Sequence, residues 1–268
     1  MEKLIITIAP TGNVPTYELN PNSALTIEKI VKDVKECREI GASVAHLHVR
    51  DEKLLPTSDR ETYKKLLKEL EDVDIIKQVS TGARGGENTI EWRGQMLDLE
   101  ADMASLSTGS SNFPTSVNAN SPSLIKGLAK KMLDNNLKPE IEVFDLAMIR
   151  NAVYLMKTGY LKGPLHFNMV MNVPGSIKGS AKNLMFMVDS IPAGSTWSVS
   201  GIGNSQIEMI TMAILLGGHV RTGLEDVLMY DKNTHATNKM LVERVVRIAK
   251  ELGREIATPE EARKILSI

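Results

Sequence analysis

Eight short apolar runs, each followed by a longer stretch with helical spacing, fill this chain from one end to the other. The runs are Leu4–Ala9, Ser43–Val49, Ile75–Ser80, Met103–Ser107, Glu140–Phe144, Leu165–Met171, Thr196–Ile202 and His219–Gly223. The amphipathic stretches are Ile27–Ile40, Arg60–Glu71, Glu91–Glu100, Ser123–Asn135, Leu146–Thr158, Ala181–Ser190, Gln206–Leu216 and Asn238–Leu252. Strands that alternate with helices pair in parallel through right-handed crossovers. An open doubly wound sheet accommodates the same alternation, but eight units in 268 residues is the size of a closed barrel. The expected fold class is therefore α/β, a (β/α)8 TIM barrel. Residues 1–268 are read as a single domain, because no linker-like run separates two halves. Thr26 is placed to start the first helix, and Ser58-Asp59-Arg60-Glu61 has the form of a capping box headed by Ser58.

Composition narrows the partners. Lys plus Arg is 32 against 33 for Asp plus Glu, and aromatics are 4%, so neither a basic nucleic-acid surface nor a base-stacking platform is expected. The single cysteine, Cys37, excludes a disulfide framework and a cysteine-rich zinc site. No run approaches the ~18 apolar residues of a membrane helix, and Met1–Thr7 reads as strand, not as a signal peptide. A cytoplasmic protein with no membrane partner is expected.

Polar residues gather where the strands end: Thr11-Gly12-Asn13, His46 through Asp51, Ser80-Thr81-Gly82, Ser105 through Gly109, Glu140-Ile141-Glu142, Asn168 through Asn172, Ser200 through Gly203 and Arg221 through Asp226. A barrel builds its active site at that rim. His46 and His48, two apart on a strand, point to one face, where a metal would satisfy both rings; ordinary hydrogen bonding is the bland alternative. His166 and His219 begin their strands and His235 lies in a polar loop, so a carboxylate is expected as third ligand. Glu225, ending the eighth strand beside the first, is the candidate, unless Glu225 and Asp226 merely cap the next segment. Two histidines and one carboxylate leave open positions, as catalytic zinc sites do. Metal-dependent amidohydrolases share the His-x-His but need histidines at the ends of later strands, which are absent here.

Gly41 through Arg50, Ser80-Thr81-Gly82, Pro139 through Phe144, Gly201-Ile202-Gly203, Gly217 through Asp226 and Ala257 through Arg263 follow one another in order. Together they resemble, essentially end to end, the β-keto acid cleavage enzymes, the family typified by 3-keto-5-aminohexanoate cleavage enzyme. The resemblance implies a zinc-dependent barrel, usually a homotetramer, that converts a β-keto acid and acetyl-CoA into acetoacetate and a new acyl-CoA. It implies one Zn2+ per subunit on His46, His48 and Glu225, an Arg221–Asp226 dyad acting as general base, and a supporting Ser80. Glu142 matches a family glutamate near the metal. Asn13, Val14, Thr81, Gly82, Ser105, Ser107, Thr108 and Ser110 are expected at the substrate. Asn172, Pro174, Gly175, Gly201 and Gly203 are expected on the CoA side.

Strict strand alternation puts Arg221 and Glu225 on one face and Asp226 on the other, so the dyad requires a turn after Gly223. The arginine is also expected to lower the Asp226 pKa. Val14 stands where the typifying enzyme has a glutamate for the substrate's amino group, and an apolar side chain leaves an ammonium unpaired. An uncharged, hydroxylated or anionic β-keto acid is expected instead, with Arg84 a candidate for a second carboxylate or a CoA phosphate. A CoA-independent metal-dependent lyase or aldolase, and a non-catalytic binding protein on a degenerate barrel, are the alternative classes.

Overall fold

Apolar side chains facing both ways make the strands, and the result is a ring. The computed structural model describes residues 1–82, 86–113 and 116–268. The strands are β1 (Ile6–Ile8), β2 (Val44–Leu47), β3 (Ile76–Val79), β4 (Met103–Ser107), β5 (Lys138–Val143), β6 (His166–Met171), β7 (Thr196–Gly201) and β8 (His219–Thr222). All pair in parallel, and β1 closes the barrel by pairing with both β2 and β8, Thr7 lying opposite Val44 on one side and Arg221 on the other. The closed α/β barrel read from the alternation is thus observed.

Outward residues such as Leu4, Ile6, Ile8, Leu47 and Phe167 pack, fully buried, under the helices in the main core. At ~1.5–3 kcal/mol per large apolar side chain, this shell is the main stabilising layer. Inside the ring the order differs. Ile5, Val44, Ile76 and Met103 form an apolar floor, sealed by Ala257, Ala262 and Leu266. Above it the interior is polar: Gln78, Ser105, Glu140, Asn168, Ser198 and Ser200 are all buried.

The helices are α1 (Ile27–Ile40), α2 (Arg60–Glu69), α3 (Ile90–Arg93), α4 (Pro122–Asp134), α5 (Leu146–Lys157), α6 (Ala181–Val188), α7 (Gln206–Leu216), α8 (Asn238–Glu251) and α9 (Pro259–Leu266). None is long and apolar enough to cross a membrane. Two expectations need correction. The N-cap of α2 is Asp59, whose carboxylate accepts from Thr62 N at 2.8 Å, and Ser58 is buried. Pro56–Thr57 pairs with Val49–Arg50 as a small antiparallel hairpin, which delays the helix start by one residue. Of the stretch Glu91–Glu100 only Glu91, Trp92 and Arg93 are helical, in the single turn of α3. Gly94 ends it, donating to Ile90 O at 2.9 Å, and a Cβ at Gly94 would lie 2.8 Å from that oxygen. Met96 and Leu97 then enter the core from turns, which mimic helical spacing. A second hairpin, Ser111–Asn112 with Val117–Asn118, stands over the end of β4.

Candidate active site

The site begins with two imidazoles. His46 lies fully buried one residue before the end of its strand, and His48 follows Leu47, the ring centroids 5.1 Å apart. His46 Nδ1 donates to Gln78 Oε1 at 2.5 Å, so its lone pair is on Nε2, which has no hydrogen-bond partner. Burial, reinforced by the charge of Arg221, lowers the His46 pKa to about 4 and keeps the ring neutral.

Glu225 arrives from β8 through a turn. Gly223 adopts φ +143°, and Asp226 N and Val227 N both donate to its carbonyl, so the chain bends where alternation demanded it. A Cβ at Gly223 would meet Ala9 O at 2.1 Å, and one at Gly12 would meet Glu225 Cγ at 2.4 Å. Two glycines therefore make room for one carboxylate. Glu225 Oε2 lies 3.6 Å from His46 Nε2 and Oε1 lies 3.4 Å from His48 Nε2. Ligands ~2.1 Å from a tetrahedral zinc stand roughly 3.4 Å apart. Buried atoms with no partner, His46 Nε2 and Glu225 Oε2, face each other at that spacing, so the donors fit a divalent metal. Glu140 and Glu142 also lie within 4.8 Å of His46. However, Glu140 is paired with His166 at 3.5 Å and Glu142 with Arg221 at 3.2 Å, and His46 has one free nitrogen to give.

Arg221 organises the acids. It binds Asp226 through two bonds, Nε to Oδ2 at 3.1 Å and Nη2 to Oδ1 at 2.9 Å, and also reaches Glu142 and Glu225. One guanidinium among three carboxylates leaves a negative excess for a cation. Burial pushes Asp226 up to about 6 although Arg221 opposes it, so desolvation outweighs the lowering expected from the arginine alone. Burial likewise raises Glu142 to about 7, while Glu225 is held below the usual carboxylate range, the charge of Arg221 first and then the contacts with His48 and His46 overcoming its burial.

These groups line a cavity of about 280 Å3 that also takes in Asn13, Val14, Ser80, Gly82 and Ser107. Asn13 Nδ2 donates to Gly82 O at 2.9 Å across its mouth. The other expected substrate residues lie off its wall. Thr81 Oγ1 bonds Ser105 O, Thr108 Oγ1 bonds Met148 O, and Ser110 Oγ bonds Asn120 O, each fixing a loop. Ser105 Oγ stands 3.4 Å from Ser80 Oγ behind the wall. Asn172, Pro174, Gly175, Gly201 and Gly203 also lie outside this lining. Packing explains two of them: a Cβ at Gly175 would lie 1.7 Å from Asn112 O, and one at Gly201 would lie 2.8 Å from Gln206 Cα. Arg84 falls outside the described residues. Arg93, Phe113, Phe144, Val170, Val173 and Ile202, which the sequence reading passed over, line the cavity as well. Val170 was findable by its alternation with Asn168 and Asn172; Arg93 reaches the wall from the end of a single-turn helix and Phe113 from a loop, neither with a period to read.

Deeper in the barrel, Glu140 accepts from Asn168 Nδ2 at 3.5 Å. Burial alone would raise its pKa, but the hydrogen bond from His166 and the nearby Arg221 bring it to about 2. Glu140 belongs to the middle of β5, not to the rim.

The model of the family described as beta-keto acid cleavage enzyme matches residues 3–268. A 3-keto-5-aminohexanoate cleavage enzyme of Fusobacterium nucleatum is 45% identical, over 100% of this chain and 99% of its own. A 3-oxoadipate:acetyl-CoA acetyltransferase of Cupriavidus necator is 40% identical, over 98% and 94%. Among solved structures, apo ObcA superposes with a TM-score of 0.81 at 20% identity. That match covers 92% of this chain and 66% of ObcA, and at this identity it speaks for the fold alone.

Proposed function

The chain belongs to the β-keto acid cleavage enzyme family, and we propose that it converts a β-keto acid and acetyl-CoA into acetoacetate and a new acyl-CoA, with zinc held by His46, His48 and Glu225. The observation that carries this reading is one cavity in which that donor triad stands beside a carboxylate clamped by Arg221.

Zinc at the triad supplies Lewis acidity toward the substrate's keto oxygen. The protein's own part is proton handling and placement. For acetoacetate to form, the C2 carbon of the β-keto acid must lose a proton and join the acetyl carbon as the CoA thiolate leaves; the thiolate then adds to C3, the C2–C3 bond breaks, and C2 takes back a proton. Asp226 is the base for that proton. Its two bonds to Arg221 fix its direction, and its pKa of about 6 leaves it ionised yet basic near neutrality. Ser80 lies on the cavity wall and donates to no backbone group, so its hydroxyl is placed to support the reacting oxygens. Asn13, Gly82 and Ser107 line the substrate's path.

Val14 and Phe113 form part of the wall, and its carboxylates Glu142, Glu225 and Asp226 are all engaged by Arg221. Among the described residues no lining acid is left for an ammonium, so the preferred tail is not an amine. A cytoplasmic homotetramer, as the resemblance implies, completes the reading; subunit contact would cover the exposed Phe186, Ile207 and Leu215 of α6 and α7.

The test is turnover of the zinc-loaded protein on a panel of β-keto acids, with and without acetyl-CoA. Acetoacetate that forms only with acetyl-CoA, with the matching acyl-CoA, is the expected result. Cleavage that proceeds equally without acetyl-CoA would replace this reading with a CoA-independent lyase.

A further inference from the structure

We propose that Arg93 anchors a carboxylate of the β-keto acid in the cavity, and that this carboxylate is a second one, at the far end of the substrate's tail; the inference rests on the reaction class proposed above. Arg93 is 3% exposed and sits at the end of α3, with Nε bonded to Thr81 O at 2.7 Å and Nη1 to Ala119 O at 3.0 Å. Nη2 has no hydrogen-bond partner, and no carboxylate of the described residues stands within ion-pair distance of the group. Nη2 is also not among the sealed buried atoms, and the side chain lines the cavity, so its free edge opens there.

Other buried arginines show why this matters. Arg50 gives both terminal nitrogens to the carbonyls of Gly12, Pro15 and Leu54, and Arg254 gives both of its own to those around Gly217. Each is a backbone brace whose terminal nitrogens are all committed, and the one unpaired atom, Arg50 Nε, is sealed away from solvent. Arg221, on the same cavity as Arg93, is saturated by three carboxylates. Arg93 alone of these four carries an uncommitted guanidinium nitrogen into the substrate space. A buried cation without a counter-charge is costly, and a planar fork with a free edge suits a carboxylate. The substrate's first carboxylate is adjacent to its keto group and belongs with the metal triad; a second would meet Arg93.

The experiment is calorimetric titration of the zinc-loaded protein with two unreactive probes, adipate and hexanoate, which differ by one carboxylate. The wild type is expected to bind adipate ~10-fold or more tightly than hexanoate, and Arg93→Gln to erase that preference. If instead the wild type binds both alike and Arg93→Gln weakens both ~10-fold, Arg93 holds the carboxylate common to all β-keto acids, and the proposal of a second carboxylate is overturned. Affinities for both probes within twofold of wild type in Arg93→Gln would overturn the proposal and leave a loop brace. Should that variant not fold, Arg93→Lys keeps the charge without the fork; its adipate preference should fall at least threefold, and an unchanged preference also overturns the proposal. Turnover is read in parallel. A wild type that binds adipate through Arg93 but forms no acetoacetate sinks the reaction class and not the anchor.

Discussion

At the floor of the barrel His166 and His219 spend their ring nitrogens on neighbours, whereas at the rim His46 keeps one buried nitrogen with no partner. His166 Nδ1 bonds Thr196 Oγ1 at 2.8 Å and its Nε2 faces Glu140; His219 Nδ1 accepts from Ile5 N at 3.1 Å. His46 Nε2 and Glu225 Oε2 have no such bonds. All are histidines on barrel strands, and burial lowers the pKa of both His46 and His219. The difference lies in satisfaction. A buried polar atom left unpaired costs ~1–3 kcal/mol, so it persists where a ligand repays it.

Substitutions that separate the two ends test this contrast. His46→Ala should have the largest effect: zinc content measured by mass spectrometry falls to background and acetoacetate formation drops ~1,000-fold or more, several kcal/mol of transition-state stabilisation. Asp226→Asn should keep the zinc and lower kcat ~100-fold or more, as loss of a general base does. A variant that loses metal as well would merge the two functions assigned to adjacent residues. Gly12→Ala pushes a methyl against Glu225, and zinc affinity in a chelator competition should weaken ~10- to 100-fold, the range seen when a ligand's support is disturbed. Val14→Glu should lower KM for an aminated β-keto acid ~10-fold by supplying a counter-charge. The smallest effect on activity belongs to the floor. His166→Ala should leave zinc stoichiometry unchanged and kcat within about threefold, while costing ~1–3 kcal/mol of stability in thermal unfolding. Zinc lost from His166→Ala would break the distinction between floor and rim.

How much of this was legible beforehand follows from period. The ring of strands and the placement of His46, His48 and Arg221 come from a two-residue alternation that the chain obeys. Glu225 and Asp226 were reachable because Gly223 marks the one place where the alternation stops. Reading failed where side chains reach the cavity without a period. Thr81, Thr108 and Ser110 looked like substrate contacts because hydroxyls at a rim do, yet each satisfies a nearby carbonyl. Arg93 carries no signal in the sequence, and only the three-dimensional count of its bonds reveals a spare edge. Glu140 was grouped with the rim, but its strand starts earlier, at Lys138, and runs on to Val143, which leaves Glu140 in the middle.

The seam that closes the ring has a consequence for how the chain is made. β1 pairs with β8, Leu4 N donates to Glu255 O, and Ala257 N donates to Leu4 O, so residues at opposite ends of the sequence are stitched together. On a ribosome adding roughly 5–20 residues per second, the first strand waits about ten to fifty seconds for these partners. During that wait one edge of a growing parallel sheet and the apolar surfaces of Ile5, Val44 and Ile76 have no cover, because α9, which seals them, emerges only after all eight strands. Biosynthesis of this barrel therefore depends on protecting an unfinished edge, and its yield in cells should respond to translation speed and chaperone supply before its finished stability is ever tested.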